Sequence, residues 1–317
     1  MTQRQLWTIS GLLLACATVI ALRVMVGTSG WGIADDETIH QLRVQRVQVG
    51  AIVGAALGLS GALLQSLLRN PLASPDLMGL SAGAGFAVTL RTWQAGTLIG
   101  ATAAAFPALI GAMGVLLFVW FLSQRRGLID PITMILVGVI VSVILGAATM
   151  LLASMMPDRG FAVSRWMMGT LREQIDSTTL LISGACVLAV LVWATYKASS
   201  FDVMALSEDE ARSVGVSVGR LRVGQFVGSG VLAAISIVLA GPIGFVGLVC
   251  PHLVRLLAGP THRTLVIGSA LSGIVLVVGA DTIVRVIPTS AGRIPIGVIT
   301  ALIGGPMFLV MLLRMRR

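Results

Sequence analysis

The sequence predicts an all-α polytopic membrane protein with about ten transmembrane helices. Three observations carry that reading. Of 317 residues, 56% are hydrophobic and only 11% are charged, less than half the share usual in a soluble domain. Mean hydropathy is +0.96. The apolar runs are about 20 residues long, enough for a helix to cross a bilayer, whereas a β-barrel alternates in shorter segments.

The runs fall at 6–27, 46–68, 77–92, 96–122, 131–153, 176–196, 223–240, 262–284 and 295–313, and a broken segment at 244–258 makes ten. Residues 6–22 also resemble the core of a signal peptide. They are read as an uncleaved first span, because two cytoplasmic ends require an even number of helices. The basic residues set the orientation. With the N-terminus inside, 13 of the 22 Lys and Arg fall at cytoplasmic ends and 9 outside, a bias of the right sign. Arg314, Arg316 and Arg317 mark the C-terminus as inside. The net charge of +9 therefore belongs to topology and helix anchoring, and no nucleic-acid partner is expected.

Glycines four apart (Gly50, Gly54 and Gly58; Gly79 and Gly83; Gly224 and Gly228) let helix backbones approach closely in lipid. Such faces serve either the interior of one bundle or a dimer contact. The longest polar insertion is 197–222. Within it Ser207 is a good N-cap, Glu208, Asp209 and Glu210 suit a first turn, and Gly215 suits a stop. This predicts a short surface helix used to contact another protein.

Gly241-Pro-Ile-Gly-Phe-Val-Gly-Leu-Val-Cys-Pro-His-Leu-Val-Arg255 interrupts the apolar C-terminal half. A Gly- and Pro-broken run frees backbone groups that lipid cannot satisfy, so protein or a water-filled cavity must. That points to a pathway through the membrane. Arg69-Asn-Pro-Leu-Ala-Ser-Pro-Asp-Leu-Met-Gly79 is a tight connection with two prolines that favour turn backbone. It reads as a rigid helix–helix turn or as a fixed surface beside the predicted surface helix.

No enzyme is visible. His40, His252 and His262 lack metal-ligand spacing, Cys16, Cys186 and Cys250 lie in apolar segments, and no nucleotide-binding or hydrolase motif occurs. No cofactor is expected on this chain, and any energy from ATP must come from a separate subunit. Asp281 and Arg285 stand four apart with the acid first, a favourable helical ion pair. An acid inside a span is also a candidate proton relay, which keeps an ion-coupled secondary transporter with Asp281 as coupling residue as the rival class. His252 reads as a helix-cap or hydrogen-bonding residue more readily than as a ligand.

These motifs, with Gly54-Ala-Ala-Leu-Gly-Leu-Ser-Gly-Ala-Leu-Leu-Gln65 and Pro295-Ile-Gly-Val-Ile-Thr-Ala-Leu-Ile-Gly304, closely resemble the FecCD family of ABC importer permeases. That family serves ferric siderophores, haem and vitamin B12. The resemblance runs over nearly the whole chain, so 1–317 reads as one transmembrane permease domain. It implies an inverted repeat of helices 2–5 and 7–10, and a location in the bacterial plasma (inner) membrane with both termini cytoplasmic. It implies three kinds of partner: a second permease subunit, identical or related; two cytoplasmic ATPases that use ATP and Mg²⁺; and a periplasmic or lipid-anchored substrate-binding protein. The cargo it implies first is a ferric siderophore, with haem or vitamin B12 as alternatives.

Roles carry over by position. The 205–219 segment resembles the family's coupling helices through Leu206, Glu208, Ala211 and Gly215, with Glu210 and Arg212 in the same stretch. Arg43 and Arg46 match outward-facing arginines that receive acids of the binding protein, and Arg293 adds outer charge. The loop 128–133 aligns with the cytoplasmic gate, giving Asp130, Pro131 and Thr133. Two departures stand out: Gln45 replaces a usual Pro, and Arg293 replaces a usual acid.

Overall fold

The computed structural model describes residues 2–27, 30–32, 36–97, 101–125, 128–172, 175–287 and 294–315. Thirteen α-helices follow in order among them: α1 (Gln3–Met25), α2 (Glu37–Leu68), α3 (Leu80–Ala95), α4 (Ala101–Leu122), α5 (Pro131–Ser154), α6 (Pro157–Trp166), α7 (Ser177–Tyr196), α8 (Ala198–Leu206), α9 (Glu208–Ser213), α10 (Val218–Ala240), α11 (Val246–Ala258), α12 (His262–Val286) and α13 (Ile296–Met315). A 3-10 turn, Pro75–Met78, precedes α3, and two pairs of two-residue strands, Val26–Gly27 with Gly30–Trp31 and Gln124–Arg125 with Leu128–Ile129, follow α1 and α4. The chain is an all-α polytopic membrane protein. Each of the ten apolar runs lands on a helix. Seven helices (α1, α2, α4, α5, α7, α10 and α12) contain stretches long and apolar enough to cross a membrane, and α11 and α13 hold shorter apolar stretches.

Boundaries differ where polar residues do the work. α2 begins at Glu37, well before the apolar run, because Asp36 accepts the Thr38 backbone N–H at 2.7 Å and caps it. The surface helix α6 has no hydrophobic run to announce it. Pro157 at its first position and Asp158 in its first turn start it instead.

α2 forms the centre, enclosed by α10, α11 and α12. A Cβ on Gly54 or Gly58 would overlap the carbonyls of Gly273 and Ser269 on α12, and one on Gly61 would overlap Gly247 of α11. Gly83 of α3 and Gly111 of α4 meet the same way. These glycine faces therefore serve internal packing, where backbone proximity maximises dispersion contact in lipid. By contrast α5 and α7 leave large apolar side chains such as Val143, Met150, Leu181 and Val192 exposed, as lipid or a second subunit requires.

The pairing of helices follows the two-repeat reading. α2 packs on α12, and its counterpart α10 packs on α4; α3 packs on α4 as α11 packs on α12; α2 and α10 pack on each other. The short helices α3 and α11 each follow an irregular segment, 69–79 and 241–245. Interrupted helices at matching places in two halves are the usual sign of a transport path.

Candidate functional site

At one end of the bundle the chain leaves α7 and builds an exposed elbow. Ser207 ends α8 and caps α9, accepting the Glu210 N–H at 3.0 Å. Gly215, at φ 82°, stops it, with Val216 N–H returning to Ala211 O at 2.8 Å. This is the start and stop that Ser207 and Gly215 predict. The elbow has two faces. Phe201, Met204 and Ala211 are buried below. Above, Leu206 is 76% exposed and Val214 is 66% exposed. Glu210 and Arg212 are exposed as well; Arg212 pairs with Asp209 at 3.5 Å, a solvated contact worth little in stability. Glu208 opens the helix, and its side chain lies outside the described residues. Two apolar side chains, Leu206 and Val214, thus stand out from a buried base.

The underside is held by specific bonds. Arg69, in the left-handed C-cap of α2 at φ 48°, donates to Met204 O at 2.6 Å. Phe201 packs edge-on to Trp193 and to His262, with centroids 5.8 Å away in both cases. Asp202 accepts from the backbone N–H of His262 at 2.9 Å and from its Nδ1 at 2.7 Å. Partial burial of Asp202 pushes its pKa up, but the bonds from His262 outweigh this and hold it below the ordinary carboxylate range. A depressed pKa gives stability above the unfolded value of about 3.9. At neutral pH this clamp is therefore fully formed, and it is lost only as pH falls through the lower folded value. A cavity of about 630 Å³ lies between α8 and the bundle, lined by Gln65, Ser66, Arg69, Asp202, Arg255 and His262 among others.

Deeper in, the two broken segments meet. Gln65 Nε2 donates to Ala73 O at 3.2 Å in the first segment and to Leu248 O at 3.2 Å beyond the second; its Oε1 accepts from Arg255. Phe245 sits in the left-handed region at φ 69°, costing about 1–2 kcal/mol for a residue with a Cβ. The ring is accommodated because Gly304 of α13 has none: a Cβ there would lie 2.6 Å from Phe245 Cβ. Residues 168–172 satisfy the free helix ends around this break. Thr170 and Arg172 N–H reach the last carbonyls of α10, and the first N–H groups of α13 reach Gly169 O and Met168 O at 2.9 and 3.1 Å. Nothing in the sequence announces that stitch. His252 of α11 is buried edge-on to Phe308, 6.2 Å between centroids, and neither ring nitrogen has a hydrogen-bond partner among the described residues. The expected hydrogen-bonding role is thus not what holds it.

At the opposite end the structure corrects the sequence. Asp281 accepts from Arg46 Nη2 at 2.8 Å and from Arg46 Nε at 3.0 Å, and it pairs with Arg23 of α1. Asp281 and Arg23 are 1% exposed and Arg46 is 5% exposed. The ion pairs that anchor Asp281 thus run to α1 and α2, and Arg285 stands half-buried one turn further along α12. Arg43 is buried too, donating to Val24 O at 3.1 Å and Gly32 O at 2.8 Å. Neither Arg43 nor Arg46 is the outward-facing group expected. Two guanidinium groups so deep in the bundle need counter-charge and carbonyls, and the chain supplies them. Gln45, the departure from Pro, donates to Ile175 O. Arg293 lies outside the described residues. Asp130 accepts from Thr133 N–H at 3.1 Å and from its hydroxyl, capping α5, with Pro131 at the first position. Those three residues carry a visible helix-start role.

The FecCD transport family model matches residues 6–314. The chain belongs to the FecCD transport family. It is an ABC importer permease of that type and a multi-pass membrane protein. Over 275 residues it is 38% identical to the cobalamin import system permease protein BtuC of Halobacterium salinarum, covering 86% of this chain and 73% of that one. It is 34% identical to the hemin transport system permease protein HmuU of Yersinia pestis, covering 87% and 83%. A solved ABC transporter described as of metal-chelate type, in an inward-facing conformation, superposes with a TM-score of 0.84 at 28% identity, covering 97% of this chain and 99% of that one. The permease thus shares its fold across nearly its whole length with that transporter, and its sequence with permeases named for different cargoes.

Proposed function

We propose that the permease imports an organic metal chelate, in the first instance a ferric siderophore, as one of two membrane subunits driven by two ATPases on its α8–α9 side. The observation that carries this is the elbow itself: Leu206 and Val214 exposed above a base bonded to α2 and α12. A secondary transporter has no use for such a surface. Its rival coupling acid, Asp281, is held between two arginines, which suits a structural charge and not a proton that must come and go.

In this reading the elbow faces the cytoplasm of a bacterial cell, as the arginine bias and basic C-terminus support, and both termini lie inside. ATP and Mg²⁺ act on the ATPases, and this chain binds no cofactor of its own. A periplasmic or lipid-anchored binding protein delivers cargo to the far end, where Arg43 and Arg46 act from within by fixing α1, α2 and α12, and Arg293 adds outer charge. Asp130, Pro131 and Thr133 shape the start of α5 at the inner gate. The cobalamin reading has its own support in the 38% identity to a cobalamin permease. Reconstitution with the cognate ATPase and binding protein separates the two. A radioiron-labelled ferric hydroxamate is expected to enter with ATP, and to lose to neither cobalamin nor haem in competition. Uptake of cobalamin or haem alone would replace the siderophore and keep the importer.

A further inference from the structure

Four polar side chains from four helices form one continuous chain beneath the elbow. Asp202 of α8 accepts from His262 Nδ1 at 2.7 Å. With the proton on Nδ1, the neutral imidazole leaves Nε2 as an acceptor, and Ser66 Oγ of α2 lies 3.0 Å from it. The Ser66 oxygen in turn accepts from Gln225 Nε2 of α10 at 2.9 Å. Each link of the series pairs one donor with one acceptor. Ser66, His262 and Gln225 are buried, and Gln225 Oε1 has no partner among the described residues. The far end of the chain is therefore held by a single bond and has a second group ready to pair after a shift.

We propose that Asp202, His262, Ser66 and Gln225 are the linkage that carries movement of the α8–α9 elbow into α2, α10 and α12. This rests on the elbow being the ATPase contact. Polar groups inside a low-dielectric bundle are costly to leave unmade, so the network favours discrete arrangements over gradual sliding. A network of that kind transmits a push, whereas an apolar contact lets one helix slip over another. The helices it reaches are α2, the enclosed centre, and α10 and α12, which precede and follow the broken α11. These are positioning residues: none contacts nucleotide, and their effect runs through the helices they join.

Ser66→Ala tests this, because it removes one hydroxyl and leaves the elbow surface untouched. Asp202→Ala is the companion variant; its side chain is 38% exposed, and its thermal midpoint in detergent is measured alongside, so that a loss of folding is told apart from a loss of coupling. Each is reconstituted with ATPase and binding protein, and both ATP hydrolysis and uptake of the radioiron-labelled ferric hydroxamate are measured, with cobalamin or haem as probe if the cargo assay selects one of these. In both variants the complex is expected to assemble and to hydrolyse ATP within twofold of wild type, while solute moved per ATP falls at least fivefold. The double variant is expected to be no worse than the worse single one, because both break one series. Wild-type ratios in both single variants, or hydrolysis and uptake falling in proportion, would overturn the linkage. A wild-type complex that shows no ATP-dependent uptake of any of the three probes would instead overturn the proposed function.

Discussion

Replacing Asp281 by Ala leaves Arg23 and Arg46 facing one another in the bundle without their carboxylate, and folded protein is lost. Removing one partner from a buried ion pair costs about 3–5 kcal/mol, and here a single acid serves two arginines. The thermal midpoint in detergent falls steeply, and α1 loses its hold on α2 and α12. A second variant separates charge from packing: Asp281→Leu with Arg23→Leu and Arg46→Met recovers most of the stability, since apolar replacement of a whole buried cluster is near neutral. Wild-type stability in Asp281→Ala would show that the cluster contributes nothing to the fold.

Leu206→Asp has the largest effect on function. Leu206 is 76% exposed, so the permease folds normally with the substitution. Burying a leucine side chain against a partner contributes about 1.5–3 kcal/mol, and each 1.4 kcal/mol is tenfold in affinity. A carboxylate in the same pocket adds an unpaired buried charge. ATPase affinity therefore drops at least tenfold to a hundredfold, read by co-purification or titration. Retained affinity would move the coupling contact away from the elbow.

What the sequence made legible was whatever is encoded locally. Apolar runs gave the ten helices, because length in lipid is a one-dimensional property. Ser207 and Gly215 gave the elbow helix, because caps act within a turn. The charge cluster was not legible: Asp281 and Arg285 are four apart and invite pairing, while Arg23 and Arg46 are 258 and 235 residues away. Family position placed Arg43 and Arg46 at the outer end but could not reveal that their side chains turn inward to carbonyls and to Asp281. α6 was missed because it is only ten residues long and turns few side chains inward, Val163 and Trp166 among them, too few to make a periodic apolar run. Gln65 and Ser66 lay at and just beyond the end of a motif read for its glycines, and only folding brought Gln65 to both broken segments and Ser66 to His262.

The most direct test is solute accumulation in proteoliposomes. The permease reconstituted alone, with an imposed proton or sodium gradient and no ATP, is predicted to accumulate nothing; with its ATPase, binding protein and ATP it accumulates chelate against a gradient. Concentrative uptake by the permease alone on an ion gradient would contradict the account.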